Sequence, residues 1–385
     1  MLDRSSAAAL VLAVLALSGA SLAGQGKPRA RDLGVPFEGT PGPLNAITDV
    51  AGLEVGMTTL ISGASVRTGV TAILPRGKTS NDPVFAGWFS LNGNGEMTGT
   101  TWIEEAGFLE GPVFITNTHS VGVVRDAAID WSVRHGKMRQ PWSLPVVAET
   151  YDGGLNDING FHVKPAHVFA ALDGAATGAV AEGNTGGGTG MVCYEFKCGT
   201  GTASRKVAAG AGGYTVGVLV QANHGGRRLL RVAGAPVGAD MPVVRSGGDA
   251  AFGEEDVRPS KSIIIVVATD APLLPHQLKR LARRASLGLA RTGSVSSDSS
   301  GDIFIAFSTA NAGAAGAPET FAASMVSSRR ITALFEATVQ ATEEAIINAL
   351  VAAETMTGAD GATVPAIDHA RMRDILRKYG RLALN

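Results

Sequence analysis

Ser262 stands at the head of SIIIVVAT, five consecutive β-branched residues behind a proline, a serine and a lysine. The chain has nothing resembling G-x-S-x-G, so the usual elbow for a nucleophilic serine is missing. One other route to acyl transfer needs no histidine. A chain that cuts itself ahead of an internal serine turns that serine into an amino terminus, and the new α-amine, with a pKa of roughly 7.7 to 8.0, serves as its base. Such a serine must head a strand and follow an exposed loop, and Ser262 meets both conditions. The segment alone also fits a serine that simply begins a buried strand.

Other candidate chemistries fail on spacing. PRGKTS has the Gly-Lys-Thr core of a phosphate loop, but the position of the required first glycine is Ala72. GNTGGGTGMV and GTGTASRKV lack the strand, turn and helix order of a dinucleotide site, and close backbone packing accounts for their glycines better. His162 and His167 lie five apart, off a shared helical face and without a third ligand. Cys193 and Cys198 are the only cysteines and too few for a structural zinc site. Neither metal nor organic cofactor is expected. The two thiols are a disulfide candidate, with a free buried pair the alternative.

The composition narrows the partner. Formal net charge is -1 over 385 residues, so no global field attracts nucleic acid or an anionic membrane surface. A small-molecule or peptide partner is more natural. Arg4, the apolar run Ala7 to Leu17, and the small residues Ser21 and Ala23 form a secretory signal pattern, with cleavage expected after Ala23. The mature chain is therefore expected to be exported, periplasmic or secreted, and off the membrane.

Elements must hold Ser262 in place. Between about Leu44 and Ala222, short apolar runs alternate with glycine-rich turns, which predicts a substantial sheet, with helices over 125–135 and 164–172. Residues 235–261, with three prolines, paired glycines and GEED, read as an exposed connector with no apolar face. After the strand at Ser262 comes a helix opened by Pro275, with Leu278, Leu281, Ala285 and Leu289 on one face. Its Lys279, Arg280, Arg283 and Arg284 read as a solvated face. DIFIAFS from Asp302 is a second strand, and helices follow over 328–353 and from the cap Asp368 to near Gly380. The layering is mixed α/β.

The blocks SIIIVVATDAPLLPHQLKRLARRASLGLARTG, SGDIFIAFSTAN, NGNGEMTGTTWIEEAG, VVAETYDGGLNDINGF, GNTGGGTGM and VLVQANHG resemble a family of self-processing aminopeptidases. That family includes the L-aminopeptidase/D-amidase/D-esterase DmpA and the β-peptidyl aminopeptidases, and the likeness covers nearly everything after the signal segment. It implies a four-layer αββα sandwich related to amino-terminal nucleophile hydrolases. It also implies a cut at Lys261–Ser262, which leaves a large chain of 24–261 and a small chain of 262–385 within one domain. Ser262 is then the nucleophile. Ser300 and Asp302 match the pair that orients it, Asn223 the oxyanion donor, and Glu149 and Tyr151 the lining of the substrate site. Implied substrates are short peptides, amides or esters with a free amino terminus, including β-amino acids, and the implied assembly is a tetramer of cleaved protomers.

Two positions depart from the family pattern. Lys261 stands where a glycine is common, and Cys198 falls in a glycine-bearing stretch, so a Cys193–Cys198 bridge would be peculiar to this chain. Two other readings stay open: an acyltransferase of the glutamate N-acetyltransferase type, and a secreted binding protein without catalysis.

Overall fold

A computed structural model describes residues 27–242, 262–317 and 319–383. The signal segment, the expected cleavage after Ala23, Lys261 and most of the 235–261 connector lie outside the described residues.

In chain order the strands are β1 (Glu54–Ser62), β2 (Val66–Leu74), β3 (Val84–Gly93), β4 (Phe108–Leu109), β5 (Val113–Asn117), β6 (Val146–Thr150), β7 (Val192–Cys193), β8 (Phe196–Lys197), β9 (Thr200–Lys206), β10 (Thr215–Asn223), β11 (Ser262–Thr269) and β12 (Gly301–Ser308). The helices are α1 (Thr100–Ala106), α2 (Val121–Arg134), α3 (Pro165–Asp173), α4 (Val237–Asp240), α5 (Pro275–Arg291), α6 (Thr332–Val351) and α7 (His369–Lys378). Of the two large sheets, one has the order β1-β2-β5-β6 and the other β4-β3-β12-β11-β10-β9; β7 pairs with β8, and the short strands Met356–Thr357 and Thr363–Val364 pair with each other.

The two sheets face each other across an apolar layer that holds Ile73, Ile115 and Ala148 from one and Leu219, Ile264, Val266 and Ile305 from the other. Helices α2 and α3 cover the outer face of the four-stranded sheet through Val124, Trp131, Val168 and Leu172. Helices α5 and α6 cover the six-stranded sheet through Leu278, Leu281, Ile346 and Leu350. The result is four layers, αββα. Strand β11 is central, antiparallel to β10 and parallel to β12, and all eight of its residues are buried. A strand apolar on both faces has to sit between two layers, which is why the sequence reads as an unbroken aliphatic run.

Three expectations need correction. The first residues of the 235–261 connector are not all exposed: Val237, Gly238 and Met241 are buried, because α4 packs against the Arg227–Leu229 turn and α7. The basic face of α5 is not merely solvated. Arg280 and Arg284 lie over the Phe335 ring, Arg283 over Phe89, and Lys279 pairs with Glu104 at 2.6 Å, so these long side chains pack as apolar stems with charged ends. Helix α2 begins at Val121, four residues early, since packing overrides the weak helix preference of its valines and Gly122. The expected cap holds: Asp368 accepts from the Arg371 N–H at 3.0 Å.

Candidate active site

The ladder between β10 and β11 ends on the pair Asn223 and Ser262. Paired residues across a ladder share a face, and here it is the face toward the other sheet, as Leu219 and Ile264 show. The Ser262 hydroxyl, in a residue only 1% exposed, accepts the Gly301 N–H at 3.0 Å. That contact requires a glycine. A Cβ on Gly301 would come within 2.5 Å of Asn94 O and 2.6 Å of Gly95 Cα, so the loop carrying Asn94 and Gly95 closes directly over it. Ser300, also buried, fastens the same loop by accepting the Asn94 N–H at 3.0 Å.

Asp302 pairs with Ile263 across the parallel ladder and lies on the opposite face from the hydroxyl, on the side of Phe304 and Tyr194. Burial pushes its pKa up to about 6, and the Ser296 hydroxyl and Ile263 N–H pull it part of the way back. Neither donor makes a formed hydrogen bond to the carboxylate. Asp302 therefore lies beside the backbone at Ile263, one residue on from Ser262, while the Gly301 N–H meets the Ser262 oxygen.

The Asn223 amide is held at both ends. Its Nδ2 donates to Tyr151 O at 2.9 Å, and its Oδ1 accepts the Val192 N–H at 2.9 Å. Nδ2 carries two hydrogens, and fixing the plane with one fixes the direction of the other. Tyr151 joins the site through its carbonyl, while its ring lies against Gly153.

Glu149, next to last in the wholly buried β6, is 4% exposed. It accepts from the Glu96 N–H at 3.1 Å and from the Thr118 hydroxyl. Its pKa is raised, first by burial, with those two donors and His119 opposing and Glu96 adding to it. The same loop connects it to Gly301: a Cβ on Gly95 would meet Gly301 Cα at 3.0 Å and Glu149 Oε1 at 3.3 Å.

Cys193 and Cys198 are bonded to each other and fully buried. Among the described residues no group of three His, Cys, Asp or Glu side chains is placed to hold a metal ion. His162 instead pairs with Asp157, and His167 Nδ1 accepts the Lys164 N–H. No described helix is long and apolar enough to cross a membrane.

Ser262, Ser300, Asp302, Asn223, Glu149 and Tyr151 thus meet at one end of the two sheets. Sequence reasoning missed Gly301, Gly95, Thr118 and Val192. Three of these act here through backbone or lack of a side chain and leave no chemical signature. Thr118 does have one, in NTHS directly after an apolar run, where a strand end delivers side chains to a rim.

A model of peptidase family S58 matches residues 45–364. Beta-peptidyl aminopeptidase BapA of Sphingosinicella microcystinivorans is 57% identical over 388 residues, 97% of either chain. The solved structure of the L-aminopeptidase D-Ala-esterase/amidase from Ochrobactrum anthropi, a prototype for the serine aminopeptidases and a variant among the Ntn hydrolase fold, is 51% identical with a TM-score of 0.84 and covers 93% of this chain and 100% of that one. A Burkholderia sp. beta-aminopeptidase of known structure is 52% identical at the same TM-score of 0.84, over 92% and 99% of the two chains. On a family match over most of its length and on relatives this similar, the chain belongs to peptidase family S58.

Proposed function

We propose that this hydrolase is a self-processing serine aminopeptidase that removes the first residue from short peptides, amides or esters, β-amino acids included. The observation that carries the reading is the Ser262 hydroxyl on the Gly301 N–H, at the head of a buried strand and opposite Asn223. In the precursor, Ser262 Oγ attacks the carbonyl of Lys261. The C–N bond breaks as the ester forms, and water then hydrolyses the ester to free the Ser262 amine. In turnover the amine takes the hydroxyl proton while Oγ attacks the scissile carbonyl, and returns it to the leaving amine. A water, deprotonated by the same amine, releases the acyl group.

Each neighbour has a part in that sequence. Gly301 N–H stabilises the charge that grows on Oγ, and Asn223 Nδ2 is the side-chain donor to the oxyanion. Asp302 holds the ammonium form of the amine. Glu149 receives the substrate ammonium, with Thr118 and the Glu96 N–H keeping its carboxylate aimed. The names of the β-peptidyl relatives support β-amino acid substrates, and the signal pattern over 1–23 supports export to the periplasm or beyond. A tetramer of cleaved protomers follows from the resemblance. Neither a glutamate N-acetyltransferase type of reaction nor a non-catalytic binding role is favoured by relatives named as aminopeptidases.

Purified protein, incubated and separated under denaturing conditions, should give a small fragment whose amino-terminal sequence is SIIIVV. It should release p-nitroaniline from β-alanyl or D-alanyl p-nitroanilide and leave the N-acetylated forms intact. An uncut chain inert toward every free-amine substrate would sink the reading.

A further inference from the structure

We propose that the Cys193–Cys198 hairpin is a positioning device for Asn223, fixing which end of its amide faces the reacting carbonyl. The proposal rests on the aminopeptidase reading above for its catalytic consequence, but the clamp itself is a property of the fold.

The hairpin has little reason to hold its shape unaided. Its strands β7 and β8 are two residues each, far too short for an independent ladder. Its turn places Tyr194 and Glu195 at φ of 51° and 61°, left-handed values that favour glycine over residues with a side chain. Its attachments offset this, three of them close to Val192 or the turn. The disulfide closes the base. Lys197, wholly buried, donates from Nζ to Met191 O at 2.8 Å and to Cys198 O at 2.5 Å, and burial drives its pKa far below the ordinary value, toward the neutral amine. Arg227 lies 3.2 Å over the Phe196 ring and donates to Glu195 O at 2.6 Å.

What so much attachment holds in place is the Val192 N–H. It meets Asn223 Oδ1 at 2.9 Å while Tyr151 O takes Nδ2. The terminal torsion of an asparagine is broad and nearly twofold, so one tether alone leaves a turned amide within reach. Turned, the amide would aim its oxygen at the developing oxyanion and repel it. With both tethers in place, turning would set oxygen against Tyr151 O and NH2 against the Val192 N–H, and both contacts forbid it. The carbonyl of Met191, the acceptor of Lys197, belongs to the peptide whose N–H is that of Val192, so the Nζ–H donated to that carbonyl polarises the same peptide toward Asn223.

The test is a double-mutant cycle with a readout outside activity. Cys193→Ala/Cys198→Ala and, as a second pair, Cys193→Ser/Cys198→Ser are made in the wild-type and Asn223→Ala backgrounds. Each bridge-less form should lose about ten- to hundredfold in kcat with KM nearly unchanged, since small misplacement of a catalytic group has costs of that size. In the Asn223→Ala background the same change should cost less than twofold. Equal losses in both backgrounds would make the bridge merely structural and overturn the proposal. Hydrogen exchange of the bridge-less chains reads the clamp without substrate. The Val192 amide should lose protection while Val218 and Val220 in β10 keep theirs. Protection retained at Val192 overturns the clamp even if kcat falls. A wild type with no turnover would defeat the aminopeptidase reading instead, and the exchange arm would still decide the clamp.

Discussion

Asn223 and Ser262 face each other across the last rung of the antiparallel β10–β11 ladder, on the side that looks into the space between the sheets. Opposed residues of neighbouring strands are held at a separation set by backbone pairing, so the proposed donor and nucleophile keep theirs. Their relative position therefore resists loop motion, and it is available to the precursor as well as to the cut form. Asn223→Ala should slow both self-cleavage and turnover, each by about 100- to 1,000-fold, the usual loss for an oxyanion donor. Cleavage time courses and kcat measured on the same preparation would check it. An effect on one reaction alone would show that the two use different donors.

Ser262→Ala should remain a single chain, because alanine has no oxygen to form the ester with Lys261. Mass spectrometry after long incubation decides it. Fragments from that variant would assign the cut to an external protease.

Glu149→Gln should still self-cleave, as no external amine takes part in that step. Its kcat/KM for free-amine substrates should fall roughly ten- to hundredfold, the value of a hydrogen bond to a charged group at about 1.5 to 3 kcal/mol. The wild type should discriminate strongly against N-acetylated substrates. Equal rates on acetylated and free forms would remove the anchor role.

The acidic limb of activity should lie near neutrality, because an ammonium at Ser262 cannot accept a proton. Asp302 raises that limb by favouring the ammonium, so Asp302→Asn should move it to lower pH by about one unit. The same carboxyl affects the stability of the uncut chain, in which no ammonium faces it. Its folded pKa there of about 6 exceeds the ordinary 3.8. Its favourable share is fully present below about pH 4 and is lost as pH rises through 6, on the order of 3 kcal/mol. Denaturant titrations of the uncut Ser262→Ala chain at pH 4 and pH 7 should differ less once Asp302→Asn is added.

Glu344 on α6 pairs with buried Arg205 of β9 at 2.6 Å and with Arg31 at 2.7 Å. Glu344→Ala leaves the Arg205 guanidinium buried without its partner and should cost about 3 to 5 kcal/mol in chemical denaturation. A loss under 1 kcal/mol would mean the arginine finds water.

Ser262 was legible because two signals coincide there: an aliphatic run that must be a buried strand, and a breaker-rich segment before it. Glu149 was legible as a carboxylate that ends an apolar run. Gly301 was not, since a backbone N–H has no residue type and only the paired strands reveal where it points. Arg205 reads as the polar end of TASRK, yet it is 1% exposed, because its partners on α6 and near the amino terminus are more than a hundred residues away in sequence. Cys193 and Cys198 were visible as a pair, but what the bridge supports depends on Asn223, brought beside it by a ladder that pattern cannot register.

The order of the larger sheet, β4-β3-β12-β11-β10-β9, alternates the origins of its strands. On either side of β11 and β12, the two strands that follow Ser262, lie strands that precede it. Severing the chain ahead of Ser262 would thus divide the polypeptide without dividing the sheet, since the new amino terminus begins inside a pleat hydrogen-bonded along both edges. The pieces would be interleaved like the fingers of clasped hands, and parting them in native buffer would mean tearing two full ladders at once.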